Sequence, residues 1–443
     1  MADSCSRFAL PPTNAKAARF RSRMESDEFS TSPVPTDRSI PWWKIALSNV
    51  LFSVSLPGLI EGLDLAREAP PMTFLAGLLV GSLILTATGI LTSIIGARTR
   101  LSSYMLARIA FGSHGSTVLN LAFAVSLIGW FGVNINLFGD AMLKVAASMW
   151  HYSGPRWPAE LLAGVLMTAT TLVGLRAINF LSLLIVPVLT VVCGLMLLSA
   201  LHHGSMAELM ARAPGGSMSF GDAVSAVVGG YVVGAVIMPD TCRFIGPTHG
   251  AVWTAILTYL VSGTLVPLIG ALAALATGRT EILDLMLYMG LGVGAFAIVF
   301  GGSWVLNALN LYSAGLSVDA AIPSVRRDRA TLLCGIAGTL AAFLQILDHF
   351  LSFLFYLSIV FVPVASIIAM DFCFFRRASY LGDAYLSIRR IEPAALAAWA
   401  AGAALAVLGS ANVLRLSGIA ALDAMLATAL VYGALRWRPH RAR

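Results

Sequence analysis

Long apolar runs, each bounded by a few polar residues, repeat from Trp43 almost to the C-terminus. They fall at about residues 43–65, 71–96, 116–148, 158–175, 178–201, 220–240, 250–276, 284–318, 330–347, 349–371, 393–412 and 416–436. A helix needs roughly 20 residues to cross a bilayer core, and most of these runs match that length. Barrel strands would instead show short segments of alternating polarity. The pattern therefore predicts an all-α polytopic membrane protein of about twelve transmembrane helices. The third and eighth runs are too long for upright helices and must tilt or extend past the membrane. Four segments follow: a polar tail (1–40), a ten-helix core (41–380), two additional helices (381–436) and a basic tail (437–443).

Composition narrows the class. Of the 443 residues, 58% are hydrophobic and 12% charged, about half the charged share of a soluble domain. The net charge of +7 would suggest nucleic acid in a soluble protein. Here it follows from loops on one side of the membrane. With the N-terminus inside, Arg67, Lys144, Arg156, Arg212, Arg279 and Arg415 fall outside, and all other basic residues fall inside. Excess Lys and Arg marks cytoplasmic loops, so both termini are expected in the cytoplasm and the span count is even. The first 40 residues lack the apolar stretch of a signal peptide and read as a disordered tail. Cys5, Cys193, Cys242, Cys334 and Cys373 show no metal spacing, and no disulfide or metal site is expected. Neither a phosphate-binding G-x-x-x-x-G-K-[ST] nor an H-E-x-x-H occurs, so any transport draws on something other than a built-in ATPase.

Two runs contain helix breakers. The first reads NVLFSVSLPGLIEGLD, with Ser53, Ser55, Pro57 and Gly58 ahead of Glu61. The sixth reads VVGGYVVGAVIMPDTCRF, with Gly229, Gly230 and Gly234 ahead of Pro239 and Asp240. Proline removes a backbone donor, and glycine lowers the cost of leaving the helix. In lipid, unwound backbone survives only where it lines a cavity or is buried in protein. These runs hold matching places in two halves of five, which points to an inverted-repeat transporter with a site near mid-membrane. Each run alone fits equally well a membrane helix that uses Gly for close packing.

The third run carries IGWFGVNINLF at its middle. At 100° per residue Trp130 and Asn134 share one face, and Asn136 and Asp140 a nearly opposite one. An indole offers a stacking surface, and a carboxamide both donates and accepts, which suits a planar heterocycle. Packing by Trp130 and a helix–helix bond from Asn134 fit the same residues.

IGWFGVNINLF resembles the third-helix signature of cytosine permeases and their nucleobase:cation symporter relatives. Ile94–Gly112, PDTCRF (Pro239–Phe244), LNLYSAGL (Leu309–Leu316) and Phe350–Arg377 are similar to further parts of that family, in the same order along the chain. The resemblance implies a five-plus-five inverted repeat with broken helices 1 and 6 and two extra helices. It implies a ring stacked between Trp130 and Tyr231, backbone at Gly230 and Gly234 along its edge, and Asn307 hydrogen-bonding the base. Ser55 at the first-helix break joins this set.

Two positions depart from the family. Asn134 stands where cytosine permeases carry a small residue, which allows a more polar or larger ring. Sodium-coupled relatives place hydroxyl residues ahead of the eighth-helix Asn, completing a site with backbone near Phe52 and Ser53. Here those positions are Val305 and Leu306, and hard cations want oxygen ligands. The coupling ion is therefore expected to be a proton, with sodium as the alternative. A coupled proton needs an acid, and ionisable groups within a membrane are costly enough to suggest function. Glu61, one turn past the break, is the candidate, or else a residue at the outer lip. Asp240 is a second candidate, or a structural partner of Arg243. Asp140 is expected to pair with Lys144, and Asp423 lies unexplained within the last run.

The expectation is a secondary active importer of a nucleobase-like heterocycle in the plasma (inner) membrane, working by alternating access. It needs no cofactor beyond the coupling cation, no nucleic acid and no obligatory protein partner. Its partners are the small-molecule substrate and the bilayer. No cluster of His, Cys, Ser or paired Asp suggests an enzyme, and no polar stripe runs the full depth as a channel would need. The alternatives are a sodium-coupled hydantoin, allantoin or hydroxymethylpyrimidine transporter, and an amino-acid carrier of the same fold.

Overall fold

A computed structural model describes residues 32–437 apart from 51–52, 152, 174, 212–215, 293, 295–296, 323, 347–349, 382–387, 412 and 415. Every regular element among them is helical. Six helices are long and apolar enough to cross a membrane by themselves. The other spans are shorter, as Trp157–Val173 and Pro393–Gly409 are, or interrupted, as the first is.

The first span is two helices, α1 (Trp42–Val50) and α2 (Leu56–Glu68). Between them Ser55 is extended, and Pro57 sits in the first turn of α2, where its missing N–H costs nothing. The freed groups find partners. Ser53 and Val54 donate to the Val50 carbonyl, and the Ser53 hydroxyl donates to the Thr258 carbonyl at 2.8 Å. Phe52, an expected ion-site residue, lies outside the described residues. The second span is α3 (Pro71–Thr99), followed by a short amphipathic helix α4 (Ser103–Phe111). Span three is one unbroken helix, α5 (Gly115–Trp150), as long as its apolar run suggested. Spans four and five are α6 (Trp157–Val173) and α7 (Leu175–His202).

The sixth span runs without interruption through all three glycines as α8 (Phe220–Ile237). It breaks only at Met238, ahead of a four-residue turn, Pro239–Cys242. The glycines serve close approach instead. A Cβ on Gly229 would lie 1.9 Å from the Leu354 carbonyl oxygen, so the tenth span leaves no space for unwound backbone. Span seven, α9 (Thr248–Thr277), contains a π turn over Ile256–Ser262. It packs against α2 through reciprocal glycines. Gly62 meets the Pro267 backbone, and Gly270 meets the Leu59 carbonyl.

The eighth run divides, contrary to one long helix over 284–318. A short α10 (Ile282–Tyr288) ends at Gly290, whose φ of 73° favours glycine. A π turn (Ala297–Gly302) then leads into α11 (Ser303–Ala321). α12 (Arg327–Phe343) and α13 (Phe350–Met370) complete the ten core spans. Two further helices, α14 (Pro393–Ser410) and α15 (Ala420–Arg436), pack on each other and on α13.

Asp423 lies at the start of the last span and not in its middle, as the run 416–436 suggested. It lies in the first turn of α15 and accepts hydrogen bonds from the Leu416 and Ser417 amides. A carboxylate there satisfies loop donors and complements the helix dipole. The N-terminal polar segment is ordered from before residue 40: Val34 pairs with Arg100, and the Ile40 amide donates to Phe244. Residues 1–31 lie outside the described residues.

The helices sort into two packed groups. α2, α3, α8 and α9 form one, and α5, α6, α11 and α12 form the other. Five spans per half is an odd number, so the second half starts on the face opposite the first and the repeat is inverted. Val34 lies beside Arg100, and Arg436 reaches Glu392 and through it Arg376, which caps α4 carbonyls. Both ends of the described chain therefore share one face, called here the termini face.

Candidate functional site

A cleft with about 510 Å³ of atom-free space, counted to its open mouth, lies between the two groups. α2 contributes Pro57, Gly58 and Glu61 with Ser55 just ahead, and α5 contributes Leu127 and Trp130. The facing walls come from Gly230, Tyr231, Val233, Gly234 and Ile237 on α8, and Leu306 and Asn310 on α11. Its lining is mostly apolar, with one carboxyl, one phenol, one carboxamide and one indole. That composition suits a small ring with a polar edge.

The local sequence explains how each group arrives. The break at Ser53–Ser55 frees α2 to start at mid-span and turns Glu61 inward, 2% exposed. Gly230 lies directly opposite: a Cβ there would sit 2.8 Å from Glu61 Oε1. Gly58 makes room for the Tyr231 hydroxyl in the same way, at 2.9 Å. Glu61 and the Tyr231 hydroxyl face each other, and neither Glu61 Oε1 nor that hydroxyl has a further hydrogen-bond partner among the described residues. Among the described residues, no Arg, Lys or His lines the cleft. An ionised carboxylate so placed is costly unless a proton or an incoming cation neutralises it. Glu61 is thus a wall residue and not a lip residue in outside water.

Trp130 is held by span ten. Its ring meets Phe350 and Phe353 edge-on, with centroids 5.9 and 5.5 Å away. Gly129 admits Phe353, since a Cβ would lie 2.8 Å from that ring. These contacts fix the indole where it borders the cleft.

Of the residues expected from sequence, the structure gathers Ser55, Glu61, Trp130, Gly230, Tyr231 and Gly234 around one space. Others fall elsewhere. Asn134 is fully buried behind the indole and donates to the Trp130 carbonyl at 2.9 Å. Asn307 is also fully buried outside the lining, donating to the Phe131 carbonyl at 3.1 Å and the Met167 sulfur at 3.2 Å. It joins α11 to α5 and α6. The carboxamide that does line the cleft is Asn310, one turn further on. Its amide makes no hydrogen bond with the described residues. Asn310 could have been found as the second Asn of LNALN, because only helix rotation separates the two. Val305 is buried and Leu306 lines the cleft, and neither side chain offers an oxygen to a cation.

Asp240 lies away from the cleft, towards the termini face. Its Oδ1 accepts from the Ser103 amide at 2.7 Å and hydroxyl at 2.8 Å. Arg243 reaches the Asp240 main-chain carbonyl at 3.1 Å. Beside Ser103, Tyr104 donates to the Ser313 carbonyl at 3.0 Å. α4 therefore bridges the two helix groups on that face. At the opposite face the expected Asp140–Lys144 pair is replaced. Asp140 pairs with Arg156 at 2.8 Å, while Lys144 pairs with Glu281 and Asp284. Residues of the loop after α5 and of the start of α10 take the place of the i,i+4 neighbour.

Residues 71–432 match the family of permeases for cytosine/purines, uracil, thiamine and allantoin. The chain belongs to this family. It is 30% identical over 423 residues to the cytosine permease of Escherichia coli O157:H7, covering 92% of this chain and 94% of that protein. The fold matches the inward-facing conformation of Mhp1 with a TM-score of 0.77, at 18% identity and over 91% and 92% of the two chains. It also matches the closed conformation of that nucleobase-cation-symport family transporter with bromovinylhydantoin bound. There the TM-score is 0.76 at 18% identity, over 92% and 95% of the two chains. This protein is a multi-pass membrane transporter of the nucleobase–cation symporter type.

Proposed function

We propose that the protein imports a nucleobase or closely related planar nitrogen heterocycle by proton-coupled alternating access. The carrying observation is one cleft, between two helix groups, bordered by Trp130, Tyr231, Asn310 and Glu61. The two aromatic rings offer stacking surface, and the Asn310 carboxamide pairs with ring nitrogens and exocyclic groups. Glu61 supplies the coupling site. When the ring is present and Glu61 carries a proton, no net charge is left in the dry cleft, and the groups close around it. Empty and deprotonated, the cleft favours hydration and opening.

Several facts support a proton over sodium. The lining holds a buried carboxyl with no cation beside it. The eighth-span positions that match the hydroxyl residues of sodium-coupled relatives are Val305 and Leu306, which offer no oxygen ligand. The Ser53 hydroxyl donates to Thr258. The excess of basic residues on one side of the spans favours cytoplasmic termini, with the plasma (inner) membrane as the site of action. The residues provide for binding and gating, with no catalytic constellation in the cleft.

The test is uptake of labelled cytosine, uracil, purines and hydantoins into cells without permeases of their own. It is run with and without sodium, and with a protonophore. Uptake of a nucleobase that ignores sodium and collapses with the protonophore is expected. Uptake that needs sodium and survives the protonophore overturns the coupling, and transport of none of these rings overturns the substrate class.

A further inference from the structure

A second cavity lies on the termini face, where residues 376–379 after α13, residues 388–392 before α14 and the end of α15 meet α4. It holds about 560 Å³ of atom-free space, again counted to its mouth. Arg376, Arg389, Arg436, Ser379 and Glu392 line it, so it is far more polar than the central cleft. Buried Asp371 stands just behind it.

The hydrogen bonds are unevenly filled. Asp371 accepts from Arg376 Nε at 2.8 Å and Nη2 at 2.7 Å, and from the Tyr380 and Tyr432 hydroxyls at 2.6 and 2.7 Å. Glu392 accepts from Arg376 at 2.7 Å and from Arg436 at 2.6 Å. All four carboxylate oxygens are thus occupied. Three donors are not. Arg436 Nε is buried with no partner among the described residues. Arg389 has no carboxylate partner among the described residues, and the Ser379 hydroxyl makes no hydrogen bond with them. Among the described residues, three guanidiniums face two carboxylates, so one positive charge there is in excess. Free donors plus surplus positive charge are what a multi-oxygen anion requires, and arginine forks match phosphate geometry.

The position tells which phosphate. The chain is a membrane transporter, and the cavity opens where its last helix ends. Trp437 follows Arg436 directly and is 75% exposed, as expected of an indole at the headgroup level. The sequence then continues through Arg438, His440, Arg441 and Arg443. A basic pocket between helices at this depth faces headgroups of the lipid leaflet. We propose that this cavity binds the phosphate of an anionic phospholipid, held by Arg389, Arg436 Nε and Ser379. The bound headgroup would neutralise the surplus charge and tie α15 and the α13 end to α4.

The experiment uses the purified full chain in a neutral detergent. Thermal unfolding and native mass spectrometry are recorded with added phosphatidylglycerol, phosphatidylcholine or inorganic phosphate. Phosphatidylglycerol is expected to raise Tm in a saturable way and to stay bound in the spectrometer, whereas phosphatidylcholine does neither. Arg389→Gln should weaken the lipid roughly tenfold or more, the worth of one charge-assisted hydrogen bond. Arg389→Lys should retain part of the affinity, and Ser379→Ala should lose less. Arg389 is exposed, so the Tm of its variants without lipid should equal that of the parent and report intact folding. Inorganic phosphate as effective as the lipid would make this a free-anion site and overturn the proposal. Equal lipid stabilisation of parent and Arg389→Gln, or none of either, would overturn it as well.

Discussion

Gly230 and Glu61 face each other across the boundary between α8 and α2, with no space for a β-carbon between them. The backbone of one helix thus forms the seat of a carboxyl from the other. Moving either helix changes what surrounds that carboxyl, which links the position of the helices to its charge.

Gly230→Ala should therefore act as a functional lesion. The added methyl would meet both carboxyl oxygens within 3 Å and push Glu61 into the cleft. Overpacking of this kind costs about 1–3 kcal/mol. Uptake is expected to fall at least tenfold with normal membrane insertion, as measured by transport and surface labelling. Unimpaired uptake would mean that Glu61 is free to move without consequence.

Glu61→Gln keeps the shape but holds no exchangeable charge. Binding of the ring is expected to persist, whereas concentrative uptake and its sensitivity to a protonophore should disappear. Parent uptake should rise as external pH falls, because protonation of Glu61 favours the closed state, and the variant should show no such slope. Counterflow against a pH series measures both.

The two amides of the eighth span should separate cleanly. Asn310→Ala should abolish substrate binding with little change in Tm. Asn307→Ala should lower Tm, by the equivalent of about 1–3 kcal/mol, because it removes a buried tie between α11, α5 and α6. Trp130→Ala should also lose binding, through the stacking surface. Scintillation proximity binding together with thermal unfolding distinguishes the two kinds of effect, and an Asn307 variant that loses only binding would return that amide to the site.

Asp371→Ala should be among the most destabilising single changes. It strands Arg376 and the hydroxyls of Tyr380 and Tyr432 around an empty, fully buried place. Breaking a buried pair of this kind costs about 3–5 kcal/mol. Loss of folded protein in detergent size-exclusion chromatography is expected.

Much of this was legible along the chain. Apolar run length set the spans, since hydrocarbon thickness sets how much helix must be apolar. The Ser53–Gly58 cluster located the break in the first span, because proline and glycine act on the backbone that carries them. Trp130 and Glu61 could be picked out by residue type in an apolar setting, and Tyr231 through the family resemblance. Which side of each helix faced the cleft could not. Asn307 and Asn310 are three residues apart, and only the rotation of α11 against α5 put one in the packing and the other on the wall. The glycines of α8 looked like points of unwinding, yet the close approach of α13 and Glu61 made them points of contact. Asp140 found a partner in the following loop, and Lys144 found two that are distant in sequence. Local chemistry dictates helix, break and buried acid because those depend on neighbours in the chain. The choice of partner for each polar group was left to tertiary packing, because it depends on helix rotation and on residues more than a hundred positions away.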